Sequence, residues 1–265
     1  MIKTPAAALA ALLAVLAQPA AAQKTDGWET DGWEIIEAEG ALIASASYES
    51  GQSFVVRCRD GKLDVLMTGV PVEADALSRW LEWTAASGVT QRQTWLSLPG
   101  RPVAFAARPV HVARILRKGG TPSIRLLATK ATPQTRRYDL PLPSDGSGVD
   151  RVLAACNVRL DHPRDDLIEI NPPIETPGVF PNIWGRMATP NYPNRGTAAG
   201  TGEVLFSCVV TATGALQDCR IERETPLDHD FGKETLVALR SSRLRLGPGV
   251  EPGRLIISRI RFRLD

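Results

Sequence analysis

Histidine and cysteine, which often bind metals or carry out catalysis, are few in this chain and follow no known motif. Its three histidines are His111, His162 and His229, and no HExxH or CxxC motif occurs, so the spacing gives no support for a zinc site. His229 lies between Asp228 and Asp230, which favours a solvated cap at a helix start over a weak metal site. His162 lies in a polar run typical of a domain edge. We therefore expect neither a metal nor a cofactor.

Motifs for nucleophilic or phosphate chemistry are also missing from the sequence. No GxSxG elbow, P-loop or GxGxxG follows a predicted strand. Trp80, Trp83 and Trp95 would suit a sugar-binding face, but the helical spacing around Trp80 favours a core position. The sequence predicts a protein that is not an enzyme. A hydrolase in the first half is an alternative that a concave pocket with perturbed carboxyl groups would support.

The first residues predict export. Lys3 precedes an apolar run from Ala6 to Ala17, and Ala20-Ala21-Ala22 is a small-residue cleavage site, so residues 1–22 are interpreted as a secretory signal peptide. The alternative is an uncleaved anchor, although the run is too short to span a bilayer as a helix. No later stretch is apolar enough to span one. We expect a soluble periplasmic protein beginning near Gln23.

Length and charge give further information on the number of domains and the kind of partner. About 240 residues after the signal suit two domains, and a net charge of +2 with no block of like charge gives no case for nucleic acid. The predicted class is α+β, with a mixed domain at 23–165, a linker at 166–183 and a small domain at 184–265. Six prolines within residues 171–193 support the linker, because proline breaks helices and removes ladder donors.

In the first domain, hydrophobic periodicity predicts both strands and helices. A helix is predicted for Ala74–Ser87, where Leu77, Trp80 and Leu81 have helical spacing and Gly88 would end it. The other predicted elements are strands at 41–48, 53–58, 62–67, 123–127 and 136–140, and helices at 110–117 and 149–156.

In the second domain, the pattern predicts a hairpin, a helix and a last strand. Strands at 203–210 and 216–222 flank Thr213-Gly214, and the helix at 228–241 would be capped by Asp228 or Asp230. The last strand, 255–264, has the alternation of a half-buried strand. One side carries Ile256, Ser258, Ile260, Phe262 and Leu264, and the other carries Ile257, Arg259, Arg261 and Arg263.

The order strand, strand, helix, strand, with a Tyr-Pro before it, resembles the C-terminal domain of the TonB energy-transducer family over residues 184–265. The matching residues form an ordered set at compatible spacings. They are Trp184, Pro190-Asn191-Tyr192-Pro193, Gly202-Glu203-Val204-Leu205-Phe206, Thr213-Gly214-Ala215-Leu216, Phe231-Gly232, Leu236 to Leu239, and Arg259 to Leu264.

This resemblance implies that the domain binds a protein partner. The family's C-terminal domain docks an extended segment of an outer-membrane receptor, which adds a strand to an exposed sheet edge. Arg259 and Arg261 would then meet acidic side chains; the alternative is that they only keep an edge strand soluble and unpaired. The implied partner-binding residues are Tyr192, Pro193, Ile257, Arg259, Ile260, Arg261 and Arg263.

The chain also departs from the family's transducers. Glycines at 196, 200 and 202 disfavour the short helix that usually precedes the first strand. A cleavable signal and a folded domain replace the family's membrane helix and its Pro-rich rod. We therefore expect a binding module that does not transmit energy by itself.

Export places the four cysteines in an oxidising compartment, where three pairings are possible. The domain division favours Cys58 with Cys156 and Cys208 with Cys219. In the hairpin, a loop of two or four residues would place Cys208 and Cys219 on one face, whereas a loop of three would place them on opposite faces.

Two functions remain open at this stage. The first is a periplasmic protein-binding module, linked to TonB-dependent transport, that docks a segment of an outer-membrane receptor or another envelope protein. The alternative is a structural envelope-assembly protein that uses the same fold to associate with itself, as a homodimer, or with a partner.

Overall fold

The computed structural model describes residues 32–73, 78–85, 88–129, 131–176, 179–196 and 199–264. In these ranges the chain is mixed and mostly β, which agrees with the predicted α+β class. The predicted signal peptide lies outside the described residues, and residues 31–265 form one compact unit. None of the helices in the described ranges is long and apolar enough to cross a membrane.

The first half of the chain forms a large antiparallel sheet. Its strands are β1 (Glu34–Ala38), β2 (Ala41–Ser47), β3 (Ser53–Arg59), β4 (Lys62–Thr68), β5 (Arg79–Thr84), β6 (Thr90–Ser97), β7 (Val103–Ala106), β8 (Ser123–Leu126) and β9 (Arg136–Asp139). They lie in the order β1-β2-β3-β4-β7-β6-β5-β8-β9. β3 has the alternation of a half-buried strand, since Phe54, Val56 and Cys58 are buried and their neighbours are more exposed.

Two helices cover one face of this sheet. They are α1 (Pro109–Leu116) and α2 (Ser147–Ala155), and they close a core that includes Phe54, Met67 and Trp95. Both helices were predicted within one or two residues. Cys58 and Cys156 form a disulfide with an S–S distance of 2.04 Å, which joins β3 to the end of α2 and confirms the predicted pairing.

The helix predicted for Ala74–Ser87 is wrong over its described part, because residues 79–84 form β5 between β6 and β8. Residues 74–77 and 86–87 lie outside the described residues. Arg79, Leu81 and Trp83 are buried and alternate with half-buried Trp80 and Glu82. Over so few residues the apolar positions fit both the two-residue period of a strand and the spacing of a helix. The periodicity of the sequence therefore could not distinguish a strand from a helix here.

The second half forms a smaller sheet and one helix. The elements are β10 (Trp184–Arg186), β11 (Thr201–Val210), β12 (Leu216–Thr225), α3 (Phe231–Leu239), β13 (Arg243–Leu244) and β14 (Leu255–Arg263). β11 lies between β12 and β14, both antiparallel to it, while β10 pairs with β13. α3 contacts β11 and β12 and buries Phe231, Thr235 and Leu239.

The start of α3 differs from the prediction. The helix begins at Phe231, and Asp230 in the N-cap position makes no side-chain capping hydrogen bond. Both Asp228 and Asp230 have a φ of 62°. Instead, the Phe231 N–H donates to Glu224 Oε1 of β12 over 3.1 Å.

The Cys208–Cys219 disulfide forms, but through a different register from the one predicted. Val210 pairs with Leu216, and the Thr211 N–H donates to Ala215 O over 2.8 Å, which leaves a three-residue loop. Such a loop alone would place the two sulfur atoms on opposite faces. The register then shifts by one residue, because Asp218, with a φ of 45°, is an extra residue in β12. This bulge returns Cys219 to the face of Cys208, and their S–S distance is 2.11 Å.

The free face of the smaller sheet packs against the larger sheet. Leu205 and Ile257 meet Ala107 and Leu96 in a small apolar cluster between the two sheets. Within the segment predicted as a linker, 166–183, Ile170 and Ile183 are buried in the core beneath α3.

Candidate strand-docking edge

The two edges of the three-stranded sheet differ in regularity. β14 pairs with β11 through nine consecutive residue pairs, from Leu255–Val209 to Arg263–Thr201, with no shift of register. β12 is interrupted twice, at Asp218 and at Glu222, where the register with β11 moves by one residue. Bulges twist and blunt a sheet edge. β14 is therefore the edge whose geometry suits an added strand.

The backbone of β14 alternates between β11 and the opposite side. Leu264 N–H donates to Gly200 O over 3.2 Å, so the even-numbered residues bond to β11. Leu255 faces the other way: its N–H donates to Ile168 O, and its carbonyl accepts from Ile170 N–H, both over 2.8 Å.

Beyond Leu255 this second side of β14 is open within the described part of the chain, and we call it the β14 edge. By alternation, it presents the N–H and C=O groups of four residues. They are Ile257, Arg259, Arg261 and Arg263. Six residue steps give the edge a length of roughly 20 Å, enough for a partner strand of about seven residues.

The side chains of β14 separate into two faces, as predicted. Ile256, Ile260 and Phe262 are buried in the core beneath α3. Ile257 turns towards the larger sheet, and Arg259 and Arg261 follow it on the same face.

The arginines of this face outnumber the carboxylates beside them. Glu203 of β11 accepts a hydrogen bond from Arg261 Nε over 3.1 Å and lies 3.4 Å from a terminal nitrogen of Arg259. Burial lowers the pKa of the Arg259 guanidinium, Glu203 opposes this, and the charge of Arg261 adds to the lowering. Arg263 is exposed and has no ion pair among the described residues. The edge is therefore basic.

A shallow cleft adjoins the far end of the β14 edge. It has a volume of about 330 Å³. Its lining combines both ends of the hairpin with the end of β14: Thr201, Gly202, Glu203, Thr225, Pro226, Arg261, Phe262 and Arg263.

Three of the seven predicted binding residues lie beneath the edge rather than on it. The Tyr192 ring packs edge-to-face against Phe231 and Phe262, with centroids 5.6 and 6.2 Å apart, and its hydroxyl donates to Gly196 O over 2.9 Å. Pro193 is buried. Ile260 points into the core, and its backbone faces β11. The structure brings the other four, Ile257, Arg259, Arg261 and Arg263, together on the open side.

Sequence reasoning missed the polar contacts that hold the two sheets together. Glu169 is buried between them, and its carboxylate accepts from both the N–H and the hydroxyl of Thr94 on β6, each over 2.9 Å. Burial raises the pKa of Glu169 to about 7, against the lowering influence of Arg108 and Thr94. A glutamate between Ile168 and Ile170 was the available signal, since charge seldom interrupts an apolar run without a partner.

Arg164 forms the second part of this junction. Its guanidinium donates to Ser207 Oγ over 2.8 Å and to the side chain and carbonyl of Asp218. Its own carbonyl accepts from Arg108 over 3.1 Å. The residue that forms the bulge in β12 is thereby attached to the connector between the two halves.

Two of the three histidines, His111 and His162, make structural contacts around the connector. His111 Nδ1 lies 3.4 Å from Asp165, which also accepts from Arg114 over 2.9 Å, so this cluster fastens α1 to the connector. Burial lowers the pKa of His111, and the hydrogen bond to Asp165 opposes the shift. His162 Nδ1 accepts from the Arg164 N–H over 3.0 Å. The described ranges contain no group of three His, Cys, Asp or Glu residues placed to hold a metal.

The tryptophans do not share a face. Trp83 and Trp95 are buried in the first core, whereas Trp80 is half-buried on the other side of the sheet. There it packs against Phe180 at 5.0 Å between centroids, beneath the guanidinium of Arg92. The core position predicted for Trp80 from helical spacing is therefore wrong.

Comparison with models of known protein families gives no match for this chain. A search of curated protein sequences gives no match either.

Proposed function

We propose that this protein is an exported, periplasmic binding protein that docks an extended segment of a partner by strand addition at the β14 edge. The observation that carries the proposal is the uninterrupted register of β14 with β11, which leaves four outward-facing residues from Ile257 to Arg263 without backbone partners in the described chain. The resemblance to the TonB C-terminal domain suggests a segment of an outer-membrane receptor, and with it a role in TonB-dependent transport.

Main-chain hydrogen bonds would supply most of the affinity. Four outward residues offer about eight donors and acceptors to a partner strand. The packed face beneath them is held by α3 on one side and the larger sheet on the other. A rigid edge of this kind requires little ordering on binding, so the partner segment bears most of the entropic cost.

The grouping of residues on the β14 edge favours binding over catalysis. It offers peptide groups and guanidinium groups, which recognise strands and carboxylates, rather than a nucleophile beside a base. The two disulfides support an oxidising compartment such as the periplasm.

The test removes one backbone N–H donor from the open side of β14. The Arg261 N–H faces the open side, so Arg261→Pro deletes a hydrogen bond to the partner and leaves the β11 ladder intact. Arg137→Pro is the matched control, because Arg137 faces outward from β9 at the edge of the larger sheet.

Binding is measured by calorimetry with synthetic peptides that copy receptor docking segments, using the whole exported chain because both halves meet at the junction. We expect Arg261→Pro to weaken binding at least tenfold and Arg137→Pro to leave it unchanged. Equal binding by both variants and the unmodified protein would rule out the β14 edge as the docking site.

A further inference from the structure

We infer that the arginines of the β14 edge select an acidic partner strand and disfavour a second copy of this chain. The inference rests on the proposed docking function and names the chemistry of the occupant. We call Arg259, Arg261 and Arg263 the arginine row, because they alternate along one face of β14.

The arginine row carries more positive charge than its surroundings neutralise. Glu203 is shared between Arg259 and Arg261, and Arg263 has no carboxylate partner within the described residues. The nearest arginine on β12, Arg223, lies 3.9 Å from Asp64 of β4, and its guanidinium lies 5.8 Å from the Phe105 ring. Asp64 is therefore already engaged and does not balance the row.

An antiparallel pairing of β14 with itself would place like charges together. Directly opposed residues share a face, so any register that pairs five or more residues of the edge sets arginine against arginine. Centred on Ile260, for example, the pairing opposes Arg259 to Arg261. Like charges directly opposite one another destabilise a strand pair.

A strand with acidic residues at alternate positions fits the same geometry. Two-residue spacing places such side chains beside successive members of the arginine row. Beside Arg259 or Arg261, an acidic side chain of the partner also gives a carboxylate to an arginine that otherwise shares Glu203 with its neighbour. The preference comes from partly exposed charges and should therefore weaken as salt is added.

Three capped peptides test this preference on the whole exported chain. The first has the sequence Thr-Glu-Val-Glu-Val-Glu-Thr, and the other two carry Gln or Lys in place of every Glu. We expect the Glu peptide to bind about tenfold more tightly than the Gln peptide at low salt, the Lys peptide to bind most weakly, and the differences to shrink in 0.5 M salt, at roughly 4 Å of screening length.

The outcomes separate the two proposals. Equal affinities for the Glu and Gln peptides, both lost in Arg261→Pro, would retain strand addition and overturn the acidic preference. No binding of any peptide would overturn strand addition and this inference with it.

Sedimentation of the free protein tests the disfavoured self-pairing. We expect a monomer, whereas a dimer that dissociates on Arg261→Pro would show that the arginine row does not exclude a second copy. The triple variant Arg259→Thr, Arg261→Thr, Arg263→Thr should associate more strongly than the unmodified protein, and unchanged association would contradict the role of charge.

Discussion

Phe231 explains why two positions near the start of the smaller sheet are glycines. Its ring is fully buried between Gly202 of β11 and Gly196. A Cβ atom at Gly202 would lie 2.6 Å from the ring, and one at Gly196 would lie 2.7 Å from it. The glycine at 202 therefore follows from packing, since only glycine leaves room for the aromatic ring under β11.

Gly202→Ala should destabilise the protein by about 1–3 kcal/mol, because the added methyl group overpacks a rigid core. Gly247→Ala is the control, because no atom lies within 4 Å of a Cβ there, and it should change stability by less than about 0.5 kcal/mol. Urea unfolding of both variants measures the difference. A Gly202→Ala protein as stable as the control would mean that Phe231 does not occupy this position.

At the scale of elements, the sequence predicts best where one periodicity dominates. β3 and β4 alternate along their seven residues and β14 along its second half, and α1 and α2 have clear apolar stripes. β5 was predicted wrongly, because its six residues fit both the two-residue period of a strand and the 3.6-residue period of a helix. The β12 bulge at Asp218 is also invisible to periodicity, since a single extra residue leaves no compositional mark.

That bulge makes a testable prediction about the backbone at Asp218. Asp218→Gly should keep the bulge, because glycine readily adopts the positive φ of this position. Asp218→Val should lower the free energy of unfolding by about 1–2 kcal/mol relative to Asp218→Gly, because a β-branched side chain disfavours a left-handed backbone. Both variants lose the carboxylate that meets Arg164, so their comparison isolates the backbone. Urea unfolding measures the difference, and equal stabilities would show that the hairpin does not use this bulge.

At the scale of the whole molecule, the junction is what sequence reasoning could least predict. Thr94 and Glu169 are 75 residues apart, and Arg164 and Asp218 are 54 apart, so no local pattern connects them. β14 itself was predicted, because the alternation of its residues is a local pattern. The sequence did not predict that Ile168 and Ile170 bond to Leu255 of β14 and so set where the open edge begins.

The junction should make stability depend on pH near neutrality. The pKa of Glu169 is raised from 4.5 to about 7 in the folded protein, so between these values the folded chain holds a proton that the unfolded chain has released. The free energy of unfolding should therefore fall as the pH rises through this window, by about 3 kcal/mol.

Urea unfolding between pH 4.5 and 8 measures this slope. Glu169→Gln should remove most of it, since the amide does not titrate and can still accept from Thr94. Glu49→Gln, at an exposed turn, should leave the slope unchanged. A slope that survives in Glu169→Gln would place its origin in another group.

Hydrogen exchange at the amides of β14 tests strand addition most directly. In the free protein the amides of Ile257, Arg259, Arg261 and Arg263 should exchange rapidly, while those of Ile256, Ser258, Ile260 and Phe262 should be protected by β11. Saturation with a bound peptide should slow the first four at least tenfold and change the second four little. Outward amides that are already protected in the free protein, or that still exchange rapidly when the peptide is bound, would contradict docking at this edge.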